Sequence, residues 1–200
     1  LQSFSKTLKP NKIKISFLIL DNSTNFESFN LIKNFKKNFK FNIHYSNEKR
    51  RGVVNARNKC LKILKKIKCD YVAFFDDDCV IDKYWFKNII EIINKFKVNI
   101  ITGPQIYLNK DKKINNLGEF FEKKINKKIS KVNWAATNNV IIKKSIILKE
   151  NIYFDKNLNK FGMGEDQLFF SKLNKRGHNI IWSNNIKVYE KMHPHRTTSK

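Results

Sequence analysis

Asp76, Asp77 and Asp78 stand in a row directly after the apolar run YVAFF at 71–75. Adjacent carboxylates repel, so a fold that gathers them at a strand end usually provides a cation to hold them. Their hard oxygens suit Mg²⁺ or Mn²⁺, ions that also bridge the phosphates of a nucleotide. The competing use is to cap the next helix. Asp82 serves that better, since it stands just ahead of the helical pattern that begins at residue 84.

Other groups have the right types for chemistry, each with a plainer use beside it. Asp21, in Asp21-Asn22-Ser23, closes the first strand-like run. It is placed either to accept hydrogen bonds from a base or ribose or to form an Asx turn into the next helix. Arg50, Arg51 and Gly52, followed by Arg57 in NARN at 55–58, straddle a helix start. Free N–H groups there attract anions, although a glycine loop with surface arginines has the same sequence. Glu165 and Asp166 follow Gly162 and Gly164 at the opening of another helix, where acids also serve to complement the helix dipole. His193 and His195 lie in the Pro-containing loop MHPHR at 192–196, and imidazole is a common metal ligand as well as a common surface group.

The elements that must position these residues alternate along the chain. Strand patterns cover 13–20, 41–45, 71–75 and 98–102, and helical ones 26–35, 53–67 and 84–96. The run at 71–75 is continuously apolar, as in a strand covered on both faces. This order predicts a parallel sheet with helices on its faces, and ligands in such sheets bind at the carboxyl ends of the strands. Asp21 and Asp76 to Asp78 sit at such ends. The second half predicts helices over 117–129 and 165–176 and short strands at 140–142, 180–182 and 186–189. There is no internal repeat and no interdomain linker, so a single domain is expected over 1–200.

Composition narrows the function classes. The chain has 200 residues, 41% of them hydrophobic, enough for a core. No apolar run is long enough to span a bilayer, and no signal-peptide pattern opens the chain. Three cysteines, Cys60, Cys69 and Cys79, without CxxC spacing argue against a disulfide framework or zinc ribbon and for a reducing compartment. Lys and Arg number 41 against 17 Asp and Glu, a net charge of +24. That charge suits an anionic partner. Yet Lys, Asn, Ile and Phe, all with A/T-rich codons, make up about half the chain against ordinary usage. The lysines are scattered rather than gathered in one stripe.

The order strand–Asp, RG…ARN, strand–DDD, a strand ending in Gly103-Pro104, WAATNN at 134–139, GMGEDQLF at 162–169 and a terminal His loop resembles a family 2 glycosyltransferase. The resemblance covers nearly the whole chain. It is nearest to bacterial enzymes that build exopolysaccharide or lipid-linked glycans. It implies an α/β GT-A fold, a Rossmann-like sandwich whose mostly parallel central sheet is flanked by helices. The N-terminal half would bind the nucleotide-sugar and the C-terminal half the acceptor. The family's first strand and donor-base loop, and its C-terminal helix, have no counterpart here and are expected to be missing from this chain.

Carried over residue by residue, the resemblance implies that Asp21 meets the donor base and Arg57 the donor nucleotide. Asp76 and Asp77 lie near the ribose and diphosphate, and Asp78, with Asp76, holds Mn²⁺ or Mg²⁺. Trp134 and Asn138 lie beside the donor sugar. Asp166 is the general base and Glu165 its acceptor-binding neighbour, while His193 or His195 faces the diphosphate or metal. The reaction implied moves a sugar, from a UDP-sugar by expectation, to a hydroxyl of a glycan or lipid-linked acceptor with inversion. It would take place in the cytoplasm, with peripheral contact at the inner membrane face. A basic nucleic-acid-binding module would instead cluster its cations among aromatics, so no nucleic acid is expected. A Mg²⁺-dependent nucleotidyltransferase would need further carboxylates for two metals.

Overall fold

The computed structural model describes residues 1–8, 13–37, 39–108, 129–161 and 163–191. A short helix, α1 (Gln2–Ser5), precedes β1 (Ser16–Asp21), α2 (Glu27–Lys36), β2 (Asn42–Asn47), α3 (Val53–Leu64) and β3 (Tyr71–Phe74). Then come β4 (Cys79–Ile81), α4 (Trp85–Phe96), β5 (Ile100–Thr102), β6 (Gln105–Leu108) and β7 (Ile129–Val132). The chain continues through β8 (Val140–Lys143), α5 (Lys144–Glu150), a 3-10 turn (Lys156–Lys160), α6 (Glu165–Lys175), β9 (Ile180–Ser183) and β10 (Val188–Lys191). The helix expected over 117–129 falls on residues outside those described, except that Ile129 opens β7.

β1 and β2 pair in parallel through α2, as the βαβ reading requires. The larger sheet has the order β3-β8-β5-β9-β7 and is mixed, not mostly parallel. β8 lies antiparallel between β3 and β5, β9 runs parallel to β5, and β7 is antiparallel to β9. In the third sheet β10 is antiparallel to β4 and parallel to β6. The departure has a physical reason. Val140, Ile141 and Ile142 are all buried, and an apolar run covered on both faces carries no sign of its direction.

Side chains alternate across this sheet. Ile100 and Ile142 join Val54, Leu61, Phe154, Phe169 and Phe170 on one face, while Ile101 and Ile141 join Trp85, Ile89, Ile92 and Val188 on the other. Each such side chain, fully buried, contributes about 1.5–3 kcal/mol. Asn139, with no exposed surface, ties the second face to the loops. Its Oδ1 accepts from Trp85 Nε1 at 3.0 Å, and its Nδ2 donates to Ile186 O at 2.8 Å and Pro104 O at 3.2 Å. Among the described residues no helix is long and apolar enough to cross a membrane.

Candidate functional site

β3 and β5 both run antiparallel to β8, so their carboxyl ends share one edge with the beginning of β8. Phe74 and Thr102 both pair with Val140 there. The turn carrying Asp76, Asp77 and Asp78 and the segment 134–139 therefore arrive together. Cys79 Sγ approaches Asn138 O at 3.8 Å across this junction. Asp76 and Asp77 are exposed and Asp78 is half-buried. Although Asp76 keeps 45% of its side-chain surface open, surrounding protein pushes its carboxyl up. Arg57 opposes the rise, and the charges of Asp78, Asp77 and Asp166 add to it.

α6 opens at the same edge. Gly164 precedes it in the left-handed region, φ 84°, a conformation that few side-chain-bearing residues adopt. Glu165 is buried and Asp166 half-buried in its first turn. Asp166 Oδ2 accepts from Thr137 N at 3.2 Å and Oδ1 from Gln167 N at 2.8 Å. The acid turn is thus fastened to the segment that carries Trp134 and Asn138.

Arg57, on α3, spans both acid groups. Its Nη1 pairs with Glu165 Oε1, and its Nη2 lies 3.7 Å from Asp76 Oδ1. The guanidinium sits 5.7 Å from the centre of the Phe154 ring, which stacks on Phe169 at 4.2 Å. Glu165 Oε2 is buried with no partner among the described residues.

Asp21, 5% exposed, accepts from Ser23 N at 2.8 Å, Tyr45 OH at 2.7 Å and Ser28 N at 3.2 Å. This is the Asx-turn arrangement, and it pins the start of α2. Burial acts to raise its carboxyl, but these hydrogen bonds outweigh it and hold the group below the ordinary range. Asn22 donates to Glu48 O at 2.6 Å and Arg50 O at 2.8 Å and accepts from Gly52 N at 2.9 Å, so the 48–52 loop is tied to β1. Of the candidate anion site, Arg50 is clasped by Glu48, and Asn159 Oδ1 accepts from Val54 N at 3.3 Å. A side chain at Gly52, φ 112°, would collide with Asn159.

Trp134 is 48% exposed, close to Thr137 in sequence. Asn138 Nδ2 donates to Gln105 Oε1, and Gln105 Nε2 to Glu190 Oε2. Gln105, Asn159 and Glu190 escaped the sequence reading, while Thr137 lay inside the WAATNN segment without being singled out. Glu190 left a usable signal, since an acid two residues after the inward Val188 on a short strand points into the protein. Gln105 and Asn159 left none. His193, His195 and Gly162 lie outside the described residues. Among those described, no three His, Cys, Asp or Glu side chains converge to hold a metal by themselves.

Comparison with known proteins gives the chain a family. No curated protein matches the sequence. Among solved structures, GalNAc-T7 crystallised with UDP, GalNAc and Mn²⁺ superposes with a TM-score of 0.73 at 15% identity, over 96% of this chain and 40% of that one. S. aureus TarS 1-349 with UDP-GlcNAc superposes at 0.71 and 16% identity, over 100% of this chain and 56% of that one. TarS 1-349 with UDP gives 0.70 and 17%, over 96% and 55%. The chain therefore spans about half the length of the solved proteins it matches. The model for "Glycosyl transferase family 2" matches residues 3–154. With that match over most of its length, the chain belongs to glycosyl transferase family 2, and its fold is GT-A.

Proposed function

We propose that this domain transfers a sugar from a nucleotide-sugar donor, a UDP-sugar, to a hydroxyl acceptor with inversion at the anomeric carbon. One observation carries the reading: the strand-end acid Asp76 and the helix-start acid Glu165, next to Asp166, meet around Arg57 at the carboxyl edge of the sheet. UDP or UDP-GlcNAc in the similar structures supports the donor class.

The acceptor hydroxyl is a poor nucleophile until a base takes its proton. Asp166 has that role: its carboxylate is fixed by the Thr137 and Gln167 N–H groups, which leave lone pairs on both oxygens. Direct displacement with a single base inverts the anomeric centre. Trp134 and Asn138 line the donor-sugar side, Asp21 the base side, and Asp77 the ribose and diphosphate. Glu165 anchors the base turn on the acceptor side.

The oxygen chemistry of Asp76 and Asp78 fits Mg²⁺ or Mn²⁺. A pair of carboxylates suffices when substrate phosphates complete the shell, and a cation there would offset the mutual repulsion of the neighbouring carboxylates. When bound, such an ion stabilises charge on the leaving diphosphate. His193 or His195 would add a ligand or face the diphosphate.

The setting proposed is cell-surface glycan synthesis on the cytoplasmic side, with a glycan or lipid-linked acceptor, reversible contact with anionic membrane and one domain over residues 1–200. The test is a panel of sugar nucleotides incubated with the purified protein and Mn²⁺, reading nucleoside diphosphate release with and without candidate acceptors. Release above background for at least one donor is expected. No release from any donor, by a protein shown to be folded, would overturn the reading.

A further inference from the structure

We infer that Arg57 is a positioning residue: it locks the base-bearing turn of α6 to the DDD turn through Glu165, rather than gripping the donor. The inference rests on the transfer reaction proposed above and goes beyond it by assigning the tie that holds its two halves in register.

The guanidinium is engaged on three sides. One terminal nitrogen pairs with Glu165 Oε1, the other faces Asp76 Oδ1 at 3.7 Å, and the guanidinium carbon lies over the Phe154 ring, 5.7 Å from its centre. Only 14% of its side-chain surface is exposed. To reach a diphosphate, Arg57 would have to release Glu165. That carboxylate is 5% exposed, and its other oxygen has no partner among the described residues. Release would strand a buried charge, the costliest outcome for an ion pair of this kind. Staying in place, the same fork connects three elements: α3, the first turn of α6 and the turn after β3. Asp166 is the next residue after Glu165, so a held Glu165 fixes the direction in which Asp166 projects. Its distance from the strand-end acids follows. A rigid planar fork can set such a spacing; a point charge on a flexible stem cannot.

The test is a double-mutant cycle on Arg57→Lys and Glu165→Gln, with kcat, donor KM and donor affinity by calorimetry measured for wild type, both single variants and the double variant. Arg57→Lys keeps a charge opposite Glu165 but loses the fork. It is expected to lower kcat by about 10–10²-fold, the scale of misplacing a reacting group by an ångström or so, with donor affinity within about threefold. The double variant is expected to lose no more kcat than the worse single variant, because one residue acts through the other. Should Arg57→Lys not fold, Arg57→Met with Glu165→Gln removes both charges and takes its place in the comparison. Tenfold weaker donor binding at unchanged kcat would make Arg57 a donor contact and overturn the inference. So would unchanged kinetics in a folded Arg57→Lys, or losses that simply add. A wild type that turns over no donor overturns the transfer reading and this inference together, whereas an active wild type with any of those three patterns overturns this inference alone.

Discussion

Asp166 is held by two backbone donors from different segments, Thr137 N at 3.2 Å and Gln167 N at 2.8 Å. An acid that only complemented the dipole of the helix start would need neither. The Thr137 contact is what marks it as placed relative to the rest of the site. Asp166→Asn keeps the shape but removes the basicity, and it sets an amide NH₂ against one of the two N–H groups. Turnover is expected to fall by about 10²–10⁴-fold, with a stability cost of about 1 kcal/mol for the lost hydrogen bond. UDP calorimetry should stay near wild type. Donor turnover measured beside thermal melts checks this, and turnover within a few fold would reduce Asp166 to a cap. Asp78 belongs to the other half of the reaction. Asp78→Ala is expected to abolish the Mn²⁺ or Mg²⁺ dependence of UDP binding and most of the affinity with it. Equal binding by wild type with and without chelator would remove the metal role. Asp82→Ala is the control. Asp82 Oδ1 accepts from Tyr84 N at 2.8 Å, an Asx turn just ahead of α4 rather than a cap on the helix itself, so only stability should change, by about 1 kcal/mol for the lost hydrogen bond.

The loop from β2 to α3 shows how an element fixes a site residue from a distance. Glu48, buried, receives Arg50 through Nε and Nη2, both at 2.9 Å. The Arg50 hydrogen bonds, with burial opposing them, hold the Glu48 carboxyl down from an ordinary 4.5 to about 2. A depressed folded-state value means the unfolded chain takes up this proton first as pH falls. The stabilisation is therefore complete above about pH 4.5 and lost between there and about pH 2. Arg50 is 63% exposed, so salt screens part of it. Glu48→Gln should flatten the acid limb of a stability–pH curve over that window and lower its neutral part without changing the slope there. An unchanged acid limb would show that the clasp contributes nothing.

At the same scale lies the boundary of what the sequence made legible. Apart from the three-residue β4, strands and helices between residues 13 and 102 stood out because their apolar periods are clean, and the DDD and GED turns fell where the alternation placed them. The direction of β8 did not stand out, because an inward-facing run on both sides has no polar face to orient it. Yet that direction is what carries Trp134, Thr137 and Asn138 to the same edge as Asp76. Arg57 was legible as a residue but not in its partners. Its ion pair with Glu165 joins positions 108 apart in the chain, and no local pattern records such a distance. Short elements such as β4 and β6, three and four residues long, gave too little period to read.

Across the whole molecule the net charge of +24 on 200 residues acts as a field more than as a set of pairs. The described ion pairs engage few of its cations, among them Arg50, Arg57 and Arg176. Self-repulsion at that charge opposes the compact state, and salt shortens its reach to about 10 Å at 0.1 M. The melting temperature is therefore expected to rise on moving from low salt to that concentration. The same field should draw the protein to anionic vesicles, where each basic group near the surface contributes about 1 kcal/mol. Because the lysines are scattered along the sequence rather than gathered in one stripe, the binding should be reversible and should weaken steadily as salt increases. Sedimentation with phosphatidylserine-containing and with wholly zwitterionic vesicles, each at low and moderate salt, distinguishes the outcomes. Binding only to the anionic vesicles and released by salt supports reversible membrane contact. Sedimentation indifferent to both lipid charge and salt would leave compositional drift as the account of the lysines.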